Sequence, residues 1–167
     1  MGLDYELFRA VNAVAGTHPW LDFVMVAVTD FGVPVLAIIA VSMCKKKNVY
    51  KTVGAVWLVF VVDFVFKLLY FRQRPFAVHE VNLLVDYLKT ASFPSRHTDL
   101  AFALAQSIFF AHKKWGIVAL LIAALVGFSR VFVGVHYPLD VFAGALLGIA
   151  GAFVANKIID TFWKEEA

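Results

Sequence analysis

The sequence predicts an all-α protein, an integral membrane helical bundle with five to six transmembrane helices and an N-terminal interfacial helix. Hydrophobic residues make up 62% of the 167-residue chain, above the roughly 45 to 50% of a soluble domain, and the mean hydropathy is +0.80. The apolar runs are continuous, whereas barrel strands alternate apolar and polar residues, so helices are the structure that satisfies the backbone in lipid. We expect one membrane-embedded domain over residues 1–167.

Two segments have the mixed character of interfacial elements. Between Asp4 and Ala15, apolar residues recur at roughly helical spacing among charged ones, which predicts a surface helix at the membrane interface. The segment from Phe76 to Ala91 also mixes apolar and polar residues, and it is a candidate for a second interfacial element.

Long apolar runs define the membrane spans. The first span is expected from Trp20 to Cys44, with Gly32 and Pro34 as positions that either bend it or divide it into two shorter helices. The later spans are expected, in chain order, at Val49 to Phe71, Arg96 to His112, Trp115 to Val133 and Pro138 to Trp163. The bundle therefore has five principal helices, or six if the first span is divided.

Lysine-rich loops indicate the orientation of the bundle. Lys45 to Lys47 follow the first span, and Lys113 with Lys114 joins the third span to the fourth. Such short basic loops stay in the cytoplasm. Three polar islands at the opposite helix ends are therefore expected on the outer side of the membrane. The arginines in these islands are exceptions to the rule that basic residues are enriched on the cytoplasmic side. We attribute them to a phosphate-binding site. The polar islands are Lys67–Pro75, Pro94–His97 and Ser129–Asp140.

Charge and cysteine content exclude several classes of function. The formal net charge is +3, but the basic residues form no contiguous stripe, so we expect the bilayer and an anionic lipid as partners and no nucleic acid. The single cysteine, Cys44, permits no internal disulfide, and no Cys/His spacing resembles a zinc site. No carboxylate cluster in the islands suits magnesium, so no metal and no cofactor are expected. The sequence carries no signal for an oligomeric state.

The first island places two cations near the end of the second span. Lys67 and Arg74 are seven residues apart, close to two helical turns, and they share a helix face if the helix continues to Arg74. Such a pair can grip an anion, because the guanidinium fork matches phosphate oxygens. Snorkelling of long side chains at a membrane boundary is the alternative. Asp63, one turn before Lys67, is expected to pair with it in a structural or a catalytic role.

The second island has the features of a helix start that binds anions. Ser92 or Ser95 is expected to cap the helix and Pro94 to begin it, which leaves backbone N–H groups available to an anion. His97, in the first turn, can deliver a proton to a departing oxygen. The alternative is an ordinary helix start with a solvated histidine.

The third island holds a histidine with an orienting partner. Arg130 closes one helix, Gly134 allows the chain to turn, and Pro138 suits the first turn of the next helix. Asp140 lies four residues after His136, near enough to accept a hydrogen bond from one imidazole nitrogen and leave the other free to attack. A helix-capping aspartate beside an interfacial histidine is the alternative.

Together, the islands resemble the signature of the type 2 phosphatidic acid phosphatases, the lipid phosphate phosphatase superfamily. The matching pattern is Lys, six residues, Arg-Pro; then Pro-Ser-x-His; then Ser-Arg, five residues, His, three residues and Asp, between Lys67 and Asp140. The resemblance implies that His136 attacks phosphorus to form a phosphohistidine, with Asp140 orienting it. It also implies that His97 protonates the leaving group and then activates water. The residues implied to hold the phosphoryl oxygens are Lys67, Arg74, Ser95 and Arg130.

Arg96 departs from the family pattern, which usually has glycine at this position. Arginine tolerates a positive φ poorly, so we predict a helical or near-helical backbone at Arg96. We also expect its side chain to join the substrate-binding set by contacting a second phosphate.

Within the family, the YFRQRPF run and the ASFPS-x-HT context look most like the bacterial undecaprenyl diphosphatases of the bacitracin-resistance type. This resemblance implies hydrolysis of undecaprenyl diphosphate to undecaprenyl phosphate and inorganic phosphate, which recycles the lipid carrier of peptidoglycan synthesis. A phosphatidylglycerophosphate or phosphatidate phosphatase with the same site is the alternative. A lipid phosphate carrier without turnover is a third hypothesis, from outside the enzymes.

Overall fold

The structure, a computed structural model, describes residues 2–43 and 46–165. These residues form seven α-helices joined by loops, without a β-strand in the described ranges, which confirms the all-α prediction. In chain order the helices are α1 (Leu3–Asn12), α2 (Pro19–Met43), α3 (Lys46–Leu69), α4 (Pro75–Val78), α5 (Arg96–Ala111), α6 (Lys113–Phe132) and α7 (Pro138–Glu165).

Four of these helices, α2, α3, α6 and α7, are long and apolar enough to cross a membrane. The helix expected from Arg96 to His112 is present as α5, but it has 16 residues and a length of about 24 Å, shorter than an apolar core of about 30 Å. It packs against α2, α3, α6 and α7, and Ala101, Ala103 and Ala105 are fully buried. The third predicted span is therefore the short central helix of the bundle.

The first span is a single helix. α2 continues through both Gly32 and Pro34, so the division into two helices does not occur. Gly32 serves helix packing instead, because a Cβ there would lie 2.4 Å from Val126 Cγ2 of α6. The predicted end of this span at Cys44 lies outside the described residues.

The N-terminal helix α1 forms within the predicted segment and docks onto the end of the bundle. Phe8 and Asn12 are buried, and Asn12 Nδ2 donates to the carbonyl oxygens of Asn82 and Phe132, each at 2.8 Å. Leu3 and Leu7 are exposed. Placement of this helix in the membrane interface stays a prediction.

The segment from Phe76 to Ala91 contains only the end of the short helix α4. From His79 to Ser95 the chain is an irregular loop that crosses the end of the bundle, where the Leu84 amide donates to the Val133 carbonyl oxygen at 3.3 Å. We call residues 79–95 the crossing loop.

The two ends of the bundle differ in chemistry. At one end, Lys47 and Lys51 pair with Asp160 at 2.9 and 2.8 Å, and His112 Nε2 bonds to the Met43 carbonyl oxygen at 2.9 Å. Lys113 and Lys114, the first residues of α6, belong to this end as well. The three polar islands belong to the other end, where α3 and α6 finish and α5 and α7 begin.

Two glycines let α5 and α7 approach closely. A Cβ at Gly144 would lie 2.7 Å from the Ser95 carbonyl oxygen, and one at Gly148 would lie 2.3 Å from the Asp99 carbonyl oxygen. Small residues at this spacing permit backbone contact between membrane helices. The approach brings the second island to the third, where the Ser95 amide donates to the Asp140 carbonyl oxygen at 3.0 Å.

Substitution Gly148→Ala tests this approach. The new Cβ would meet backbone atoms of α5, which move only if the helices separate, so we expect a loss of about 1–3 kcal/mol in the free energy of unfolding in detergent. Gly54→Ala is the matched control, because its Cβ would meet only the end of the Ile159 side chain, at 3.1 Å. Helix propensity favours alanine by about 1 kcal/mol, so the control should be neutral or stabilised. Equal stability of the two variants would contradict the close packing.

Candidate active site

The three polar islands meet around a small cavity of about 110 Å³. The residues that line it are Lys67, Arg74, Tyr87, Thr90, Arg96 and His136. Four of these were predicted as site residues from the sequence, and two, Tyr87 and Thr90, come from the crossing loop. The cavity therefore combines the end of α3, the start of α5, the turn before α7 and a loop that closes over them.

His136 reaches the cavity from a tight turn. Gly134 has φ +90°, and a Cβ there would lie 3.0 Å from the Asn82 carbonyl oxygen, so glycine is required on both counts. The His136 ring is 1% exposed. Its Nδ1 lies 3.4 Å from Asp140 Oδ2, and its Nε2 lies 3.0 Å from Arg74 Nη1.

These contacts assign the tautomer of His136. A guanidinium only donates hydrogen bonds, so Nε2 is the acceptor and Nδ1 carries the proton that faces Asp140. The predicted contact with Asp140 is therefore present in the geometry, and Nε2 is the nitrogen that carries the lone pair. In this structure Arg74 covers that nitrogen.

Asp140 is fully buried and is held by more partners than the sequence suggested. Its Oδ2 accepts from Ser92 Oγ at 2.5 Å and from the Tyr137 amide at 2.9 Å. Its Oδ1 accepts from Arg72 Nη1 at 2.7 Å. The carboxylate thus caps the start of α7 and also contacts His136. Sequence analysis missed Arg72 and assigned Ser92 only to a helix cap.

Lys67 and Arg74 do not share a helix face, because α3 ends at Leu69, before Arg74. An extended segment follows, and Arg74 itself has φ −74° and ψ 155°, the conformation expected before Pro75. The two cations nevertheless line the same cavity. The side chains of Arg72 and Arg74 make hydrogen bonds to residues distant in sequence. These bonds stabilise the extended segment more than one further helical turn would.

Arg74 is 3% exposed and all five of its N–H groups have acceptors. Nε donates to the Thr90 carbonyl oxygen at 3.0 Å, and Nη2 donates to Thr90 Oγ1 at 3.1 Å and to the Ala91 carbonyl oxygen at 3.0 Å. Nη1 donates to the Val135 carbonyl oxygen and to His136 Nε2, each at 3.0 Å. Only the bond to His136 faces a group that substrate would engage, so a bound phosphate would take over this one donor.

Arg130 lies in the last turn of α6, as predicted, and is 1% exposed. Its Nε and Nη2 are buried and have no hydrogen-bond partner within the described ranges. The guanidinium lies 4.9 Å from the ring centroid of Tyr87, and Arg74 lies 4.4 Å from the same centroid. Buried donors without acceptors cost free energy. This arrangement therefore favours an anionic ligand that supplies the missing acceptors.

The second island begins α5 at Arg96, two residues later than expected from Pro94. The predicted helical backbone at Arg96 is confirmed, and the described residues include no non-glycine residue with positive φ. Ser95 occupies the predicted N-cap position, but its side chain makes no capping hydrogen bond. Ser92 donates to Asp140, and Ser95 Oγ accepts from Thr98 Oγ1 at 2.9 Å. Both hydroxyls are therefore engaged by side chains rather than by the helix start.

His97 lies in the first turn of α5 and does not line the small cavity. Its Nδ1 is buried and has no hydrogen-bond partner among the residues that the structure describes. Four cations act electrostatically on the ring, namely Arg130, Arg74, Arg96 and Lys67. The histidine is therefore part of the cationic cluster and is not a solvated residue at an ordinary helix start.

Asp63 holds the two cations on the other side of the cavity. Its carboxylate is fully buried, and Oδ1 accepts from Lys67 Nζ, which confirms the predicted pair. Oδ2 accepts from Arg96 Nε at 2.7 Å. The Arg96 side chain is 39% exposed, so it reaches from this pair toward the open side of the cavity.

Comparisons with known proteins identify similar sequences and folds. The sequence matches the PAP2 superfamily over residues 32–164. It is 30% identical to the undecaprenyl-diphosphatase BcrC of Bacillus subtilis over 165 residues, which cover 95% of this chain and 85% of that protein. The crystal structure of Aquifex aeolicus LpxE superposes with a TM-score of 0.83 at 34% identity, covering 94% of this chain and 96% of the other.

A second crystal structure, a PAP2 type phosphatidylglycerolphosphate phosphatase from Bacillus subtilis, superposes with a TM-score of 0.71 at 25% identity. It covers 95% of this chain and 85% of the other. The predicted family resemblance is confirmed by these matches.

The pKa of His136 leads to a prediction about acid stability. Burial, with the charges of Arg74 and Arg130, lowers this pKa from 6.5 to about 3, although the contact with Asp140 opposes the shift. The ring is therefore neutral at pH 7. Below pH 6.5 the unfolded chain binds a proton that the folded chain does not, so this stability contribution falls as the pH drops toward 3.

We expect the free energy of unfolding of the wild type, relative to His136→Asn, to fall by about 2 kcal/mol between pH 7 and pH 5. Denaturant titrations in detergent at both pH values measure it. A difference between the two proteins that does not change with pH would contradict the neutral, buried imidazole.

Proposed function

Because the chain belongs to the PAP2 superfamily, we propose that it is an integral membrane lipid phosphatase that hydrolyses undecaprenyl diphosphate to undecaprenyl phosphate and inorganic phosphate. One observation carries the phosphatase assignment: the buried Arg130 guanidinium, with two donor atoms lacking acceptors in the described chain, beside a neutral histidine. The choice of lipid is supported by the similarity to BcrC of Bacillus subtilis.

The reaction is proposed to proceed through His136. The terminal phosphate displaces Arg74 from Nε2, and the Nε2 lone pair attacks phosphorus in line with the anhydride oxygen. The P–N bond forms as the P–O bond breaks, and His97 protonates the oxygen of the departing undecaprenyl phosphate. Burial and the surrounding cations lower the pKa of His97 to about 3, so this step requires that the bound phosphate first offset those cations and that His97 take up a proton. His97 then takes a proton from water, which attacks the phosphohistidine. Inorganic phosphate leaves and His136 is restored.

Positive charge supplies the stabilisation that this reaction needs. Lys67, Arg74 and Arg130 are proposed to hold the phosphoryl oxygens, and each such donor is worth roughly 3 kcal/mol in the transition state. Ser95 adds a hydroxyl whose proton is available, since its oxygen accepts from Thr98. With these cations at the phosphate, we propose that hydrolysis requires no metal ion.

The site is proposed to face outward from the bacterial inner membrane. The lysine-rich loops at the opposite end of the bundle support this orientation, because short basic loops are retained in the cytoplasm. Four helices long and apolar enough to span a membrane agree with a multi-pass protein. A diphosphate carrier released on the outer side would then meet the site where it is produced.

A phosphatidylglycerophosphate or phosphatidate phosphatase is the second candidate. The similarity to the phosphatidylglycerolphosphate phosphatase of Bacillus subtilis favours it, at 25% identity. The same cations and histidines would serve a glycerolipid monophosphate, so substrate competition separates the two. A lipid phosphate carrier is less well supported, because binding alone does not require the pairing of His136 with Asp140.

Phosphate release from purified protein tests the proposal. Undecaprenyl diphosphate and phosphatidylglycerophosphate are compared in parallel, with and without EDTA. We expect hydrolysis of the diphosphate to be at least tenfold faster in kcat/KM, to survive EDTA, and to disappear in His136→Ala. Brief incubation with substrate carrying a radioactive terminal phosphate should label the wild type in an acid-labile bond.

Three outcomes would count against it. A tenfold preference for the glycerolipid would overturn the substrate, and loss of activity in EDTA would overturn metal independence. Retained hydrolysis in His136→Ala would overturn the mechanism. Asn48→Ala is a control away from the site, since its carbonyl oxygen, which accepts from Thr52, remains.

Arg96 generates a separate prediction about the second phosphate. Its guanidinium is fixed through Nε by Asp63 and lines the cavity, so we expect Arg96→Gly to raise KM for undecaprenyl diphosphate by about tenfold, the loss of one charge-assisted contact of about 1.4 kcal/mol. KM for phosphatidate, which has one phosphate, should change by less than about twofold. Arg96→Lys is the control that keeps the charge. An unchanged KM for the diphosphate would remove the side chain from substrate binding.

A further inference from the structure

Arg72 connects the N-terminal helix to the site, and the reaction above assigns it no role. We propose that Arg72 is a positioning residue for the pair formed by Asp140 and His136, and that Asp4 of α1 holds Arg72 in place. The N-terminal helix is then part of the catalytic scaffold. This inference rests on the proposed phosphatase function.

The geometry places Arg72 between two carboxylates. Nη1 donates to Asp140 Oδ1 at 2.7 Å, and Nη2 donates to Asp4 Oδ2 at 2.5 Å. The guanidinium carbon lies 4.1 Å from the ring centroid of Tyr137. Two hydrogen bonds and the ring face therefore restrain the planar guanidinium, and a single orientation satisfies all three contacts.

Arg72 and Ser92 donate hydrogen bonds to different oxygens of the Asp140 carboxylate. Arg72 takes Oδ1, whereas Ser92 and the Tyr137 amide take Oδ2, the oxygen that faces His136. The Ser92 amide also donates to the Arg72 carbonyl oxygen at 2.8 Å, so the two partners are joined through their backbones. Rotation of the carboxylate about its Cβ–Cγ bond would break these bonds on both oxygens. The plane of Asp140, and with it the ring of His136, is fixed.

Charge gives Arg72 a second effect on the pair. The Asp140 carboxylate is fully buried, and the His136 ring that it faces is neutral. Arg72 is the cation bonded to that carboxylate. A buried carboxylate without its cation is strongly destabilised, and it would then recruit another donor. Loss of Arg72 would thus disturb the contact between Asp140 and Nδ1 of His136.

Asp4 sets the position of Arg72 from α1. Its Oδ2 accepts from Arg72, and its Oδ1 accepts from the Leu139 amide at 2.9 Å, one residue before Asp140. The helix that carries Asp4 is itself anchored, because the buried Phe8 ring lies 5.6 Å from the ring of Tyr137. Asp4 is therefore fixed relative to α7 and can hold the guanidinium at the correct distance from Asp140.

The test uses Arg72→Gln, Arg72→Lys, Asp4→Asn and the double variant of Arg72→Gln with Asp4→Asn, all in the full chain. We expect Arg72→Gln to lower kcat for phosphate release by about ten- to a hundredfold, the usual effect of losing a partner that orients a functional group. KM should change by less than about twofold. Arg72→Lys should recover part of the loss, and Asp4→Asn should lower kcat by about three- to tenfold.

The double variant distinguishes positioning from a structural contact. If Asp4 acts through Arg72, Asp4→Asn adds no further loss of kcat in the Arg72→Gln background. Glu6→Gln and Arg9→Gln are matched controls. Both residues are exposed on the same helix as Asp4, and each substitution removes one charge. Both controls should retain wild-type kcat. Multiplicative losses in the double variant, or wild-type kcat in Arg72→Gln, would overturn the proposal.

Affinity for orthovanadate provides a readout that needs no lipid turnover. Vanadate takes the five-coordinate geometry of phosphoryl transfer when it meets an aligned nucleophile, so its dissociation constant reports the alignment of His136. We expect Arg72→Gln to weaken binding by about tenfold or more, with Glu6→Gln unchanged. If the wild type releases no phosphate from undecaprenyl diphosphate, the proposed function fails, and this measurement still decides the role of Arg72. Equal vanadate affinity in Arg72→Gln and wild type overturns it.

Discussion

The site depends on positive charge that is held inside an apolar bundle and only partly neutralised. Asp63 compensates Lys67 and Arg96 through one buried carboxylate, and carbonyl oxygens of the crossing loop surround Arg74. Arg130 retains donors without acceptors in the described chain. Desolvated charge is costly unless it is paired. Under the proposed function, a bound phosphate would supply the negative charge and the hydrogen-bond acceptors that these cations lack. The oxygens of a bound phosphate would meet donors that the protein has already oriented, the arrangement that stabilises developing charge most effectively.

Close packing of α5 on α7 makes this arrangement possible. Gly144 and Gly148 place the backbones of the two helices in contact, so the second and third islands share a backbone hydrogen bond between Ser95 and Asp140. The functional side chains therefore project from the ends of packed helices and from one tight turn. Groups held on rigid elements lose little freedom when substrate binds. The crossing loop contributes mainly partners for the arginines.

Local sequence patterns predicted the helices and the contact between His136 and Asp140. They did not predict contacts between residues that are distant in sequence. Hydropathy locates the spans because the bilayer leaves the backbone no other way to satisfy its hydrogen bonds. The four-residue spacing of His136 and Asp140 likewise places them together through local geometry. The end of α3 at Leu69 was not predictable in this way, because the partners of Arg72 and Arg74 lie between 16 and 68 residues away in sequence. No residue near Arg72 in the sequence predicts that it pairs with Asp4, which lies 68 residues away.

The shortness of α5 determines how deep the chemistry takes place. If the end of α5 beside the lysines lies at one boundary of a hydrocarbon layer about 30 Å thick, this helix of about 24 Å has its first turn about 6 Å short of the other boundary. The first turn of α5 carries His97. A phosphate group would therefore have to descend below the headgroup plane to reach it, and only an amphiphile held by its own tail makes that descent readily. Under the proposed function, a water-soluble phosphate ester, which has no such tail, would reach this depth less readily than a lipid phosphate.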